Sequence, residues 1–500
     1  MKENYLSRKA LLACLLFIMM VTTNVFGQVG IGTVTPNASS VLDVSSTTKG
    51  MLTPRMTTVQ RTAITTPADG LIVYDTDLKS FYYYNTTTAT WIKINSEADG
   101  RLKFKRIKST DVLATVLAAE LSAGGGAKYL LDTGTLYEIN GSIYPNFPID
   151  LNNAYLEGLD TNEDKLIRVS GNLFEGAFGG SIRNLTLVAA AGSVFNLNGA
   201  ATESLIFRDC ILASSASCGL IKGFGLVFIN VVNYSGNAAG MTYEDINRLL
   251  INNSGWFSNN SGSYERLVGT FALVEKLGGF SDVTGANFGF DVSANPIITG
   301  DAVLESTVFT GTLTTGGYVK PYTVGTYPGY NFTGDWNVRS AGIFTETDAT
   351  ATGNLFDPSN TATTRTTTTV QNTGYKLTTN PTTATNLLRF ASTTTGRLTY
   401  KGEKTRTFQV TASISFIETT AGSNTTYVFY VAKIATNGTT VTALPETETF
   451  NDTNGGFIQS FPVSGSVVLS TNESVEIWVK RINTGTKINV DTYSFNITAR

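Results

Sequence analysis

Residues 181–188 read SIRNLTLV, and related phrases return as LIFRDCIL at 205–212, LVFINVVN at 226–233 and LLINNSGW at 249–256. Aligned on a leading apolar residue, they place Ile182, Phe207, Phe228 and Leu250 in one column, at spacings of 25, 21 and 22 residues. Two residues after each come Asn184, Asp209, Asn230 and Asn252; Phe271 extends the apolar column, although Leu273 takes the polar place. Short apolar runs at this period, with Gly, Asn and Ser between them, predict a parallel β-helix in which each turn stacks on the last. Asparagine suits a repeated corner, because its amide bonds along the column and its backbone tolerates the left-handed region. The alternative is a β-sandwich with coincidental spacing.

Length and composition fit that reading. Five hundred residues exceed one compact core, and charged residues make up only 15% of the chain, with 48 glycines and 11% aromatics. Such a composition is expected of an extracellular all-β protein. A net charge of −3 gives no footprint for nucleic acid. The N-terminus, with Lys2, Arg8 and Lys9 ahead of an apolar run from Ala10 to Val21, reads as a signal peptide (1–27) cleaved before Gln28. The location expected is secreted or on the outer cell surface, with no transmembrane segment. LLAC at 11–14 matches a lipoprotein box, but Cys14 stands too early in the apolar run to close it. Cys210 and Cys218 are either a disulfide or two small buried thiols.

Residues 28–96 form the next segment. GLIVYDT and KSFYYYN read as two strands joined by a turn at Asp75–Lys79, ending at a packed Trp91. The phrases VGIGT, TP, ASS, LDV, then KGML, PRMTT, QR and GLIVYDTD, occur here in one order. This series resembles an attachment module at the front of exported Bacteroidota proteins, related to phage tail-fibre-like proteins. The resemblance implies a long β-structured body behind it. That body is the solenoid, placed at 97–338, with TYEDINRLL (242–250) expected as a short helical insertion capped by Thr242. A Thr-rich connection and head fill 339–500. Thr supplies 13 of residues 361–385, as a linker or as edge strands.

In the head, Phe408, Val410, Ala412, Ile414 and Phe416 alternate, as do Tyr427, Phe429 and Val431, Val475, Ile477 and Val479, and Tyr493, Phe495 and Ile497. Alternation between Gly- and Asn-rich turns predicts an antiparallel β-sandwich. RLTYKGEKTRTFQVTASISF with VVLSTNESVEIWVKR resembles jelly-roll heads of the tumour-necrosis-factor and complement type, although Asn472-Glu473 departs from the Gly-Asp often found there. The resemblance implies a homotrimer through this head; Tyr430 and Trp478, on the alternate faces of their segments, are expected as exposed aromatics on its contact strands.

The chain has no histidine, which removes Ser-His-Asp triads, Cys-His dyads and imidazole metal sites. No catalytic residue, metal site or cofactor is expected. DTNED (160–164) reads as a solvated loop rather than a Ca²⁺ site. Of the candidate carboxylates Glu157, Asp160, Asp164, Glu175, Asp209 and Glu244, Asp209 shares the corner of Asn184, Asn230 and Asn252 and reads as a ladder residue, while the others scatter across loops without a repeated register. The reading is therefore a non-catalytic, fibre-like adhesive protein that binds surface polysaccharide or another glycan. Its ligand-binding candidates are Trp256, Tyr318, Tyr322, Tyr327, Tyr330 and Trp336, unless these rings plug a solenoid end. The alternatives are a polysaccharide lyase or hydrolase on a β-helix, and a phage or injection-particle tail fibre, which the signal peptide disfavours.

Overall fold

The computed structural model describes residues 3–21, 27–94, 103–453 and 456–500. The chain divides into two compact units, Met1–Leu102 and Lys103–Arg500.

In the first unit a helix spans Glu3–Val21. No helix among the described residues is long and apolar enough to cross a membrane. Val29–Ile31 pairs in parallel with Leu42–Val44, and a four-stranded sheet follows from Arg55–Met56, Ile72–Asp75, Ser80–Asn85 and Thr90–Lys93. The PRMTT…QR…DTD phrases are the joint of this sheet. Thr57 caps the short helix Thr58–Thr62 and Gln60 returns the bond, a complete capping box. Arg61 reaches the buried Asp75 carboxylate at 2.9 Å and lies over the Tyr82 ring at 4.1 Å. Burial pushes the Asp75 carboxyl up. Hydrogen bonds from the Leu78 amide, Arg61, Thr58 and the Asp77 amide outweigh it and bring the pKa down to about 2.

The second unit opens with the β-solenoid. Its strands pair in parallel with the next turn, in a fifteen-stranded sheet and a nine-stranded sheet. Tyr137, Leu156, Ile182, Phe207, Ile229 and Ile251 pair in register and are all buried. The inward column therefore runs through Ile229 and Ile251, not Phe228 and Leu250, which are only half-buried on the outer face. The reason is local: Val227, Phe228 and Ile229 are apolar at every position, so alternation could not mark the inner face. A slip of one residue reverses a strand's two faces.

The corner shifts with the column. Backbone in the left-handed region falls at Asn184, Asp209, Val231 and Asn253, whereas Asn230 and Asn252 are paired strand residues. An amide ladder does exist, one side further round. The Asn237 side chain accepts from the Ser215 amide at 3.1 Å, and the Asn260 side chain accepts from the Asn237 amide at 3.0 Å. Both asparagines are buried, so the ladder also satisfies polar groups water cannot reach. The expected helix at 242–250 is absent. Met241–Glu244 and Arg248–Asn252 are strands, and Asp245 between them is a left-handed corner whose carboxylate accepts from the Thr270 amide.

The C-terminal part is a β-sandwich. One antiparallel sheet runs Thr383–Leu388, Thr352–Phe356, Asn489–Ala499, Arg406–Ile417 and Gln459–Leu469. The other runs Phe390–Ala391, Arg397–Tyr400, Ser474–Arg481, Thr426–Ile434 and Val441–Ala443. Phe408, Val410, Ile414, Phe416, Phe429, Ile477 and Ile497 fill the space between them. Tyr493 leaves the inner face because of the irregularity at Ser415/Phe416, which puts Thr492 inside. The Thr-rich stretch is edge strand: Thr364–Thr367 pairs with Asn489–Thr492, and Gly374–Lys376 with Trp478–Lys480. That second strand covers Tyr430, which is buried beside a half-buried Trp478 rather than exposed. A Cβ on Gly374 would sit 2.1 Å from the Tyr430 hydroxyl, so only glycine allows this approach.

Solenoid and sandwich meet at Arg389, which is 2% exposed. Its guanidinium bonds the Asp348 carboxylate and the carbonyl oxygens of Trp336 and Glu346. Asp348 also accepts from the amides of Glu403 and Lys404. Glu346 is buried there, and burial raises its pKa although the Asn331 and Phe332 amides donate to it.

Candidate functional site

The left-handed corner carves a shallow groove of about 380 Å³ along the solenoid, lined by Leu159, Asp160, Asn184, Asp209, Val231 and Asn233, among others. One wall is the loop 158–164, and Asp164 holds it rigid. The buried Asp164 carboxylate accepts from the amides of Gly141 (2.7 Å), Leu159 (2.6 Å) and Asp160 (3.0 Å). Thr186 Oγ1 donates to the Thr161 carbonyl and ties the loop to the next turn. This leaves the Leu159 side chain 73% exposed beside Asp160.

The opposite wall is the corner column. Asn, Asp and Gly fill most of it, but Val231 is a β-branched residue held at φ +53° and exposed. Such backbone costs roughly 1–2 kcal/mol, and strain of this kind concentrates at functional sites. Cys210 underlies the groove; burial pushes its thiol up to about 12, so it is not a nucleophile at neutral pH. Cys210 and Cys218 are both free and buried, in keeping with the reading as two small buried thiols. They are small apolar fillers in adjacent sides of one turn.

Of the carboxylates singled out, the fold brings together Asp160 and Asp209. Glu157 is paired with Arg183, Glu244 with Lys222, and Glu175 accepts from the Asn172 amide nitrogen. The signal for the groove pair lay in the period, since the loop at 158–164 follows Leu156, which is two turns below Phe207 in the inward column.

The aromatic candidates fare differently. Trp256, Tyr322 and Trp336 are core residues, a correction to their placement as ligand-binding faces. Trp256 stacks between Tyr234 at 3.8 Å and Tyr264 at 5.1 Å, while Trp336 donates to Tyr322. Burial raises the Tyr322 pKa to about 12 and shifts Tyr327 in the same direction. Tyr318, Tyr327 and Tyr330 are half-buried. Tyr318 lines a second cleft of about 380 Å³ with Asn331 and Phe344, and Tyr330 leans on Phe344 at 6.0 Å. Among the described residues no cluster of three or more His, Cys, Asp or Glu side chains suits a metal ion.

Residues 30–110 match the family model for a phage tail like trimerisation region. No curated protein matches the sequence. Among solved structures, the chain is similar to full-length tailspike protein 2 from Escherichia coli O157:H7 bacteriophage CAB120. Identity is 12%, coverage 86% of this chain and 77% of that one, and the TM-score 0.21. It is also similar to the tailspike protein 2 enzymatically active domain of bacteriophage CBA120, at 11% identity, 86% coverage of each chain and a TM-score of 0.20. The expectation that the chain is not an enzyme is withdrawn: Asp160 and Asp209 line one groove as a carboxylate pair.

Proposed function

We propose that the protein is a phage-tail-like spike or fibre component, exported or surface-displayed, that assembles as a homotrimer and engages surface polysaccharide along the corner groove. One observation carries the assembly. In the parallel pair Val29–Ile31 and Leu42–Val44, Val29, Ile31, Leu42 and Val44 are 53%, 55%, 52% and 43% exposed. A single chain leaves this apolar stripe in water, and all of it but Val29 falls within the match to a trimerisation region. Further copies of the same stripe are its natural cover. Trimerisation is thus assigned to the N-terminal module rather than to the head alone. The strand order of the C-terminal sandwich supports its reading as a jelly roll.

Native mass spectrometry of the full chain should give a trimer. The double variant Ile31→Asp, Leu42→Asp should give monomer, because each protomer would bring two charges into an apolar interface. A monomeric wild type at micromolar concentration removes the proposal.

The groove offers carboxylates, amides and two exposed apolar side chains, Leu159 and Val231, which are the groups that hydrogen-bond and pack on sugars. A pair of carboxylates is also what glycoside cleavage requires. On a polysaccharide that the protein binds, Asp209→Asn, which keeps the left-handed corner, should weaken retention at least tenfold. With Asp160→Asn added, any depolymerisation should fall by two orders of magnitude or more, about the share of one acid–base group. Unchanged binding and turnover in the double variant would place the site elsewhere, with the second cleft at Tyr318 the next to test.

A further inference from the structure

The solenoid interior holds one pair that apolar packing does not explain. Lys276 takes the inward column between Ile251 and Leu304, and Glu265 takes the inward column of the nine-stranded sheet between Met241 and Phe290. Neither side chain has any exposed surface, and Lys276 Nζ lies 2.8 Å from Glu265 Oε2. The approach is off the hydrogen-bonding direction, since Nζ and both carboxylate oxygens make no hydrogen bond. Ser254 Oγ, Ser281 Oγ and Trp256 Nε1 are also buried nearby in sequence and turn without a partner. The Tyr234 and Tyr243 hydroxyls adjoin each other within electrostatic reach of the carboxylate.

A charged pair removed from water survives when hydrogen bonds satisfy its remaining lone pairs and protons. Here they do not. Condensation would remove both charges at once. It would also use the proximity of two groups held in contact, whose effective concentration far exceeds any attainable in solution. We propose that Lys276 and Glu265 form an intramolecular isopeptide bond that cross-links the two sheets within one solenoid turn.

The atoms balance without a co-reactant. A proton passes from the Lys276 ammonium to the Glu265 carboxylate, giving amine and acid. The Nζ lone pair forms a bond to Cδ and opens the carbonyl to a tetrahedral intermediate. A second proton passes from nitrogen to the departing hydroxyl, the C–O bond breaks, and one water leaves. The Tyr234 and Tyr243 hydroxyls lie within electrostatic reach of the Glu265 carboxylate. Burial raises both hydroxyls far above their usual range, so they remain proton donors. Neither side chain has exposed surface, so bulk solvent does not reach the bond once it forms.

The test is a mass measurement on the full chain as purified, with a tryptic map. The linked protein is lighter than its sequence by one water, and trypsin does not cut after Lys276. The peptides Leu249–Arg266 and Leu267–Arg339 then appear as one branched species, since Pro321 blocks cleavage after Lys320. In Lys276→Met the missing water returns. The proposal falls if wild-type protein has its full mass with a free peptide ending at Lys276, or if the lost water maps outside these two peptides. The wild-type map decides even if the variant does not fold, and it is independent of trimer formation and of the groove.

Discussion

Arg389→Ala should destabilise the full chain by roughly 3–5 kcal/mol, the range seen when one partner of a buried ion pair is removed. Three acceptors lose the same donor together. The Asp348 carboxylate loses its cation, and the carbonyl oxygens of Trp336 and Glu346 lose a shared donor. Alanine must also hold the left-handed backbone of Arg389, at φ +55°. Arg389→Lys should recover part of the loss, because an ammonium restores the charge but not the fork that reaches acid and carbonyls at once. Chemical denaturation reads the total. Amide exchange reads the place, and should rise over 331–350 while 174–257 stays protected, because solenoid turns depend mainly on their neighbours. An alanine variant within about 0.5 kcal/mol of wild type, the usual spread of surface changes, would show that Arg389 does not join the last solenoid turn to the sandwich.

The junction illustrates what the sequence concealed. Arg389 and Asp348 are 41 residues apart in a stretch of Thr, Gly and Asn, and nothing local marks either as buried. The Thr-rich run was equally undetermined as linker or edge, because a threonine-faced strand bonds to its neighbour through backbone that composition does not record. By contrast, the solenoid was legible, since stacked turns must repeat the same inward positions. So was the sandwich, where strict alternation put Phe408 through Phe416 on one face. Aromatics misled: the setting of Trp256, among Gly, Ser and Asn, reads the same for a ring on the surface and a ring closing a column. The groove was half legible. Asp209 belongs to the corner column, but its neighbour Asp160 arrives from a loop two turns away, and only the pitch of the helix brings them to one surface.

Register was the finest point, and it carries the second large effect. Phe207→Ala should cost about 3–5 kcal/mol, as expected for deleting a fully buried ring whose cavity cannot collapse. Its ring sits edge-on to Phe195 at 5.3 Å, and Phe195 in turn stacks on Phe174 at 5.5 Å. The void would therefore open inside a column whose walls are fixed by parallel pairing to Ile182 and Ile229. Phe228→Ala, an equal change 21 residues on, should cost only about 1 kcal/mol, because its half-buried ring lies on the outer face where water replaces it. Phe228 and Phe207 have like neighbours in sequence, so composition alone would rank the two equally. Only the inward column through Ile229 separates them. Paired denaturation curves on the two variants settle it: a larger loss at Phe228 than at Phe207 would mean the turns are stacked one residue out of this register, with Leu250 inside and Ile251 in solvent.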